Sequence, residues 1–236
     1  MHVRLEALQN MGEMIRLAAR DGHLFEAYVA WPTETPRGGL VVLQEVFGVN
    51  SHIRAVTDRF AAEQGYIVIA PALFDRLESK VSLDYDDASL VRGRALRLAL
   101  GWKKPLLDIE ATRAFASSSA KGTRKVGVVG FCWGGSLAWL AACRLSLQVA
   151  VCYYGGQIAQ FLEERPICPV MMHFGRDDPI IPAADQKAIM DAHPEGYYHS
   201  YEAGHGFNCN ERLDFQPECA AAAWSHTSAF LANSLS

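Results

Sequence analysis

Five short apolar runs, at residues 40–43, 66–70, 125–129, 148–154 and 170–174, recur along the chain, most of them separated by stretches with helical patterning. Leu40, Val41, Val42 and Leu43 are consecutive and apolar, the pattern of a strand covered on both faces rather than one facing water. Residues 14–19 and 23–31 read instead as a hairpin turning at Asp21-Gly22. Helices are expected over 52–64, 88–100, 105–116 and 135–144, after Pro182 and after Pro217, with a last strand at 197–202. Strands alternating with helices imply an α/β fold with a mostly parallel, doubly wound sheet flanked by helices. No repeat, low-complexity tract or long linker interrupts the 236 residues, so one domain spanning 1–236 is expected.

In such a sheet, ligands bind beyond the carboxyl ends of the strands, which directs attention to the residues just after 43, 70, 129, 174 and 202. Composition narrows the ligand. The formal charge of −4 offers no basic field for phosphates, which argues against nucleic acid and for a small molecule. Met1-His2-Val3-Arg4-Leu5-Glu6 carries charge where a secretory signal has its apolar core, and no segment approaches the ~18 apolar residues of a membrane span. The expected location is cytoplasmic, with no membrane partner. Six cysteines without a C-x-x-C pair or zinc-type spacing to histidine are expected to be mostly free thiols, and neither a metal nor a cofactor is indicated.

Gly130-Phe131-Cys132-Trp133-Gly134 directly follows an apolar strand and precedes a helix, the context of a nucleophile elbow. The glycines allow a sharp turn, and the helix start aims amide donors and the positive end of its dipole at the thiol. Alone, a G-x-C-x-G spacing equally fits a small buried cysteine with glycines for close packing. The rest of the triad has to decide, in the order nucleophile, acid, histidine. Asp177 and Asp178 follow the strand at 170–174, and Asp178, four residues before the helix-starting Pro182, is the preferred acid; Asp177 suits a turn or cap. Ala203-Gly204-His205-Gly206-Phe207 follows the last strand, and its glycines frame His205 as the base. His173 and His199 fall within strands, and His2, His23, His52, His193 and His226 lack such a frame.

Glu45 stands just beyond the first parallel strand, in Gln44-Glu45-Val46-Phe47-Gly48-Val49-Asn50. It either caps the loop before the following helix or meets the thiol across the cleft. The backbone amides of Val46 and Trp133 are placed to form an oxyanion hole. Phe47, Tyr153 and Trp102 are candidates for the pocket lining. Residues 73–87, charged and weakly periodic, form a candidate rim loop.

Taken together, the 44–50 loop, Gly-Phe-Cys-Trp-Gly-Gly at 130–135, Tyr-Tyr-Gly at 153–155, Asp178 with Pro182, and Ala-Gly-His-Gly-Phe at 203–207 resemble the dienelactone hydrolase family of the α/β-hydrolase superfamily, over nearly the whole chain. The resemblance implies a hydrolase of small carboxylic esters or lactones, a Cys132-His205-Asp178 triad working through an acyl-enzyme, and Glu45 linked to the resting thiol. It also implies arginines that hold a substrate carboxylate. The family arginine four residues after the histidine is replaced here by Cys209, and only Arg92 or Arg94 offers a match for the second. That departure leaves the reaction class intact and the carboxylate-bearing substrate open. Two other readings are a catalytically silent ligand-binding homologue and a thiol-dependent acyltransferase or thioesterase.

Overall fold

The computed structural model describes residues 12–120 and 124–235; the charged amino-terminal hexapeptide lies outside the described residues. The hairpin is present as β1 (Glu13–Ala18) and β2 (Leu24–Ala30), paired antiparallel from Glu13 opposite Val29 to Ala18 opposite Leu24. The α/β region follows as β3 (Gly39–Leu43), α1 (Ser51–Gln64), β4 (Ile67–Pro71), α2 (Asp87–Leu100) and α3 (Lys103–Ser119). It continues through β5 (Val126–Phe131), α4 (Trp133–Arg144), β6 (Val149–Tyr153), β7 (Val170–Gly175), α5 (Ala183–Ala192), β8 (Tyr197–Tyr201) and α6 (Pro217–Leu235).

These strands form one eight-stranded sheet in the order β1-β2-β4-β3-β5-β6-β7-β8, parallel from β4 to β8. The doubly wound expectation is met, and the reason is in the strands themselves. Every residue of β3, β4, β5, β6 and β7 is buried, so these runs can be satisfied only in a sheet covered on both faces. Helices α1 and α6 meet through Phe60 and Trp224, whose ring centroids are 4.4 Å apart, while α3 and α4 pack against each other and the sheet. Tyr153 ties the sheet to α6: its hydroxyl donates to the Ala223 carbonyl at 3.1 Å and pairs with Thr227 Oγ1 at 2.7 Å. On the other side, Arg76 makes a two-pronged salt bridge to the fully buried Asp108 of α3, both bonds at 2.7 Å.

The chain leaves β3 outward to β4 and then returns past β3 to β5, so successive connections diverge between β3 and β5. That divergence opens a crevice at the carboxyl ends of the two strands. Register sets what faces it: Leu43 pairs with Gly130, which puts Glu45 level with Cys132, and Phe131 pairs with Tyr153, which puts Tyr154 at the same height.

The elbow and two short turns depart from the sequence pattern. Helix α4 begins at Trp133, two residues earlier than expected, so that Cys132 alone separates strand from helix. Short 3-10 turns occupy Leu73–Arg76 and Ile158–Phe161; the first belongs to the rim loop, which docks back on the 44–50 loop through Leu83 N–H to Phe47 O at 2.8 Å and Asn50 Nδ2 to Leu83 O at 3.2 Å. Such turns lack the run length that makes a periodic signal. All six cysteines are free thiols, and among the described residues no helix is long and apolar enough to cross a membrane.

Candidate active site

Cys132 has φ 53° and ψ −116°, a backbone conformation that a non-glycine residue holds only when its surroundings enforce it. Here the enforcement is the one-residue elbow. The Cys132 amide donates to the Tyr153 carbonyl at 3.0 Å, and a Cβ on Gly130 would stand 1.9 Å from the Gly134 carbonyl oxygen, so only glycine permits so sharp a turn. Trp133 is the first residue of α4, where an amide has no helical carbonyl behind it to bond. Its ring is locked face to face on Phe74 at 5.1 Å.

Asp178 follows β7 and is buried, whereas Asp177 is exposed. Asp178 Oδ1 accepts the amides of Ile180 at 2.7 Å and Ile181 at 3.2 Å, which orients the carboxylate and leaves Oδ2 for His205 Nδ1 at 2.8 Å. His205 is 4% exposed, and its Nε2 has no formed hydrogen bond. Cys132 is the side chain beside it. Burial alone would lower the imidazole's affinity for a proton, but the neighbouring Cys132 and the hydrogen-bonded Asp178 carboxylate outweigh it and push His205 up to about 10.

Glu45 is completely buried, and its two oxygens meet different partners. Oε2 accepts the hydroxyl of Tyr85, from the rim loop, at 3.0 Å; Oε1 has no hydrogen bond and lies 3.6 Å from Arg212 Nη1. The carboxylate is therefore hydrogen-bonded to a tyrosine and near an arginine, and no hydrogen bond joins it to the thiol, a correction to the expected Glu45–Cys132 link. Burial would lower the Arg212 pKa, yet the Glu45 charge raises it overall, and burial together with Glu45 pushes the Cys209 thiol up to about 12. Cys209 thus carries no charge here.

Arg212 is the site residue that sequence reading missed. After His205 the chain makes successive tight turns, with Cys209 N–H to Gly206 O at 3.0 Å and Arg212 N–H to Cys209 O at 3.1 Å, and these fold Arg212 back over the histidine loop. The approach is close: a Cβ on Gly206, which has φ 83°, would stand 2.6 Å from the guanidinium carbon. Arg212 lies seven residues after His205 in sequence, and the turns bring it to the site.

The other pocket candidates separate. Phe47 is buried and packs on Tyr85 with centroids 4.5 Å apart, at the rim-loop side of the site. Tyr153 is corrected to a structural residue, since its hydroxyl is committed to α6; Tyr154 is the one of the pair against His205, edge-on at 5.1 Å. Arg92 faces outward on α2 and is paired with Glu78, and Arg94 is exposed on the same helix, so neither accompanies Glu45. Trp102 is partly buried and packs edge-on against Phe161 at 5.2 Å.

Comparison with known proteins agrees with this architecture. Residues 25–235 match the family model described as "Dienelactone hydrolase family". The carboxymethylenebutenolidase of Pseudomonas putida is 34% identical over 228 residues, covering 93% of this chain and 96% of its own. That of Pseudomonas sp. strain P51 is 31% identical over 222 residues, 91% and 92% of the two chains. A crystal structure assigned as a dienelactone hydrolase, from Klebsiella pneumoniae, superposes with a TM-score of 0.80 at 25% identity, covering 94% of this chain and 98% of that one.

Proposed function

The chain belongs to the dienelactone hydrolase family, whose members hydrolyse lactones and esters, and from that premise we propose that it opens a small lactone or ester bearing a carboxylate, using Cys132 as nucleophile. The observation that carries the reading is the line Asp178–His205–Cys132, with its 2.8 Å carboxylate–imidazole bond and an imidazole that favours its proton beside the sulfur. His205 takes the thiol proton, and Sγ attacks the carbonyl carbon. The amides of Trp133 and Val46 receive the resulting oxyanion. When the C–O bond breaks, the leaving oxygen takes the proton from His205, leaving a thioester on Cys132. His205 then removes a proton from water as it attacks; the carboxylic acid departs and the thiol is restored. Asp178 fixes the imidazole tautomer that both half-reactions need.

Arg212 supports the carboxylate. Its side chain is 17% exposed, and both of its acidic neighbours, Glu45 and Asp214, stand at 3.6 Å, outside hydrogen-bond range. A guanidinium this loosely held can take a substrate carboxylate in the two-point geometry that arginine favours. It fills the role left open by Cys209.

Cys132→Ala tests the nucleophile. Turnover of a short aryl ester is expected to vanish while the fold is kept, and mass spectrometry of the parent enzyme quenched during turnover is expected to find the acyl group on the peptide containing Cys132. Undiminished activity in the variant would refute the assignment. An added thiol or alcohol that diverts the acyl group from water would assign the enzyme to acyl transfer instead.

A further inference from the structure

A cavity of about 400 Å³ lies at the amino ends of β7 and β8, where Val170 and Tyr197 begin the two strands. Cys132, Asp178 and His205 all follow the carboxyl ends of strands, so this cavity is at the opposite end of the parallel sheet from the triad. Ile167, Val170, Met172 and Tyr197 give it an apolar wall, and Ile167 and Tyr197 are 67% and 53% exposed. Its size and its lining are those of a small-molecule pocket.

Two polar rings belong to the same wall, Trp139 from the middle of α4 and His193 from just after α5. They are 0% and 1% exposed and meet at a steep angle with centroids 4.6 Å apart, yet neither Trp139 Nε1 nor His193 Nε2 has a hydrogen-bond partner. The histidine's proton can be placed. Arg165 Nη1 approaches His193 Nδ1 at 3.4 Å, and because a guanidinium only donates, Nδ1 is the acceptor and the hydrogen of the neutral ring is on Nε2. The ring is kept neutral by burial first and then by Arg165, against the opposing pull of Glu195, whose carboxylate is 3.8 Å from Nδ1. The turn that carries the ring is pinned as well: the His193 carbonyl accepts the Tyr198 hydroxyl at 2.6 Å and the Gly196 amide at 3.0 Å. Both orphans are therefore N–H donors, side by side, and two donors cannot satisfy each other. Buried donors without an acceptor are costly.

We propose that this cavity binds a small uncharged molecule with an apolar body and a carbonyl oxygen, the oxygen accepting from the Trp139 and His193 N–H groups. A carbonyl oxygen has two lone pairs, enough for both donors, and brings no donor of its own. An alcohol would bring an O–H that the apolar wall leaves unpaired. A carboxylate would bury a charge against two neutral donors, with the Arg165 charge offset by Glu195, and desolvating an anion costs more than such bonds return. The site takes nothing from the triad, so it stands whatever ester or lactone the enzyme opens.

Acetophenone is the probe, with ethylbenzene as the same shape lacking the oxygen and benzoate as the same ring bearing a charge. Each is titrated into the full chain, and binding is read from the indole N–H signal of Trp139 in the assigned NMR spectrum. Acetophenone is expected to move that signal saturably, with ethylbenzene and benzoate each binding about tenfold more weakly. Ile167→Trp, at an exposed position of the wall, narrows the cavity without disturbing the core; it is expected to weaken acetophenone by about tenfold and to leave turnover of a p-nitrophenyl ester unchanged. His193→Phe removes one donor and is expected to bring acetophenone down to the affinity of ethylbenzene. An indole signal that acetophenone does not move, equal affinity for acetophenone and ethylbenzene, or tighter binding of benzoate overturns the proposal. So does a shift that Ile167→Trp leaves intact, since the probe is then bound elsewhere. If His193→Phe does not fold, the ethylbenzene comparison and Ile167→Trp still decide.

Discussion

Replacing Asp178 by asparagine isolates the carboxylate's effect on His205 from its part in the local fold. The amide oxygen can still accept from Ile180 and Ile181, now bonded to Oδ1 at 2.7 and 3.2 Å, so the loop keeps its shape. The amide nitrogen then takes the place of Oδ2, facing His205 Nδ1 across a 2.8 Å contact made for a donor and an acceptor. Two N–H groups cannot face each other there, so the ring moves its proton to Nε2, the nitrogen toward Cys132, and can no longer accept from the thiol. Turnover is expected to fall by a factor on the order of 10³–10⁴, equivalent to about 4–5.5 kcal/mol in the barrier. The lost charge-assisted bond contributes roughly 1.5–3 kcal/mol to stability, which for a chain of this size is a fall of about 3–12 °C in the unfolding midpoint. The assay is kcat/KM on an uncharged aryl ester over pH 6–10, with a thermal melt. Asp178→Ala, which also abolishes the two backbone bonds, should melt lower than the asparagine variant. Asparagine activity above a tenth of the parent's would refute the tautomer argument.

Three further outcomes are expected. His205 should titrate near 10 by NMR, so its contribution to stability is complete below its unfolded value of 6.5 and lost as the pH rises to about 10; in Cys132→Ala the titration should move down, and an unmoved titration would contradict the assigned cause. Asp108→Ala strips the fully buried partner from Arg76, itself 6% exposed, and should cost about 3–5 kcal/mol, seen as a midpoint lower by roughly 6–20 °C, with the exposed Asp21 at 2.8 Å offsetting the loss only in part. Gly130→Ala sets a methyl 1.9 Å from the Gly134 carbonyl oxygen, so activity should be lost with soluble, destabilised protein; wild-type turnover would show that the elbow can open without consequence.

The order of strands and helices was legible because each is a local pattern. Buried parallel strands read as unbroken apolar runs, and Asp178 and His205 stand out in the sequence because each follows a strand, in the order that a triad takes. The early start of α4 was not visible, since no residue pattern distinguishes a one-residue elbow from a three-residue one. Arg212 escaped because it lies in a coil of turns, where spacing from His205 says little about distance.

The family, the mostly parallel sheet and the residues that end its strands can all be read from short segments, because each is a local property. Which of those residues come together depends on strand register and on how the loops fold back. Pairing of Leu43 with Gly130 and of Phe131 with Tyr153 sets Glu45, Cys132 and Tyr154 at one height, and the histidine loop returns Arg212 to Glu45. Tertiary packing also divides the adjacent tyrosines, committing Tyr153 to α6 and turning Tyr154 to His205. Neighbours in sequence take opposite sides of a sheet as the backbone leaves its last ladder bond, and which side holds the chemistry depends on what the rest of the chain packs there.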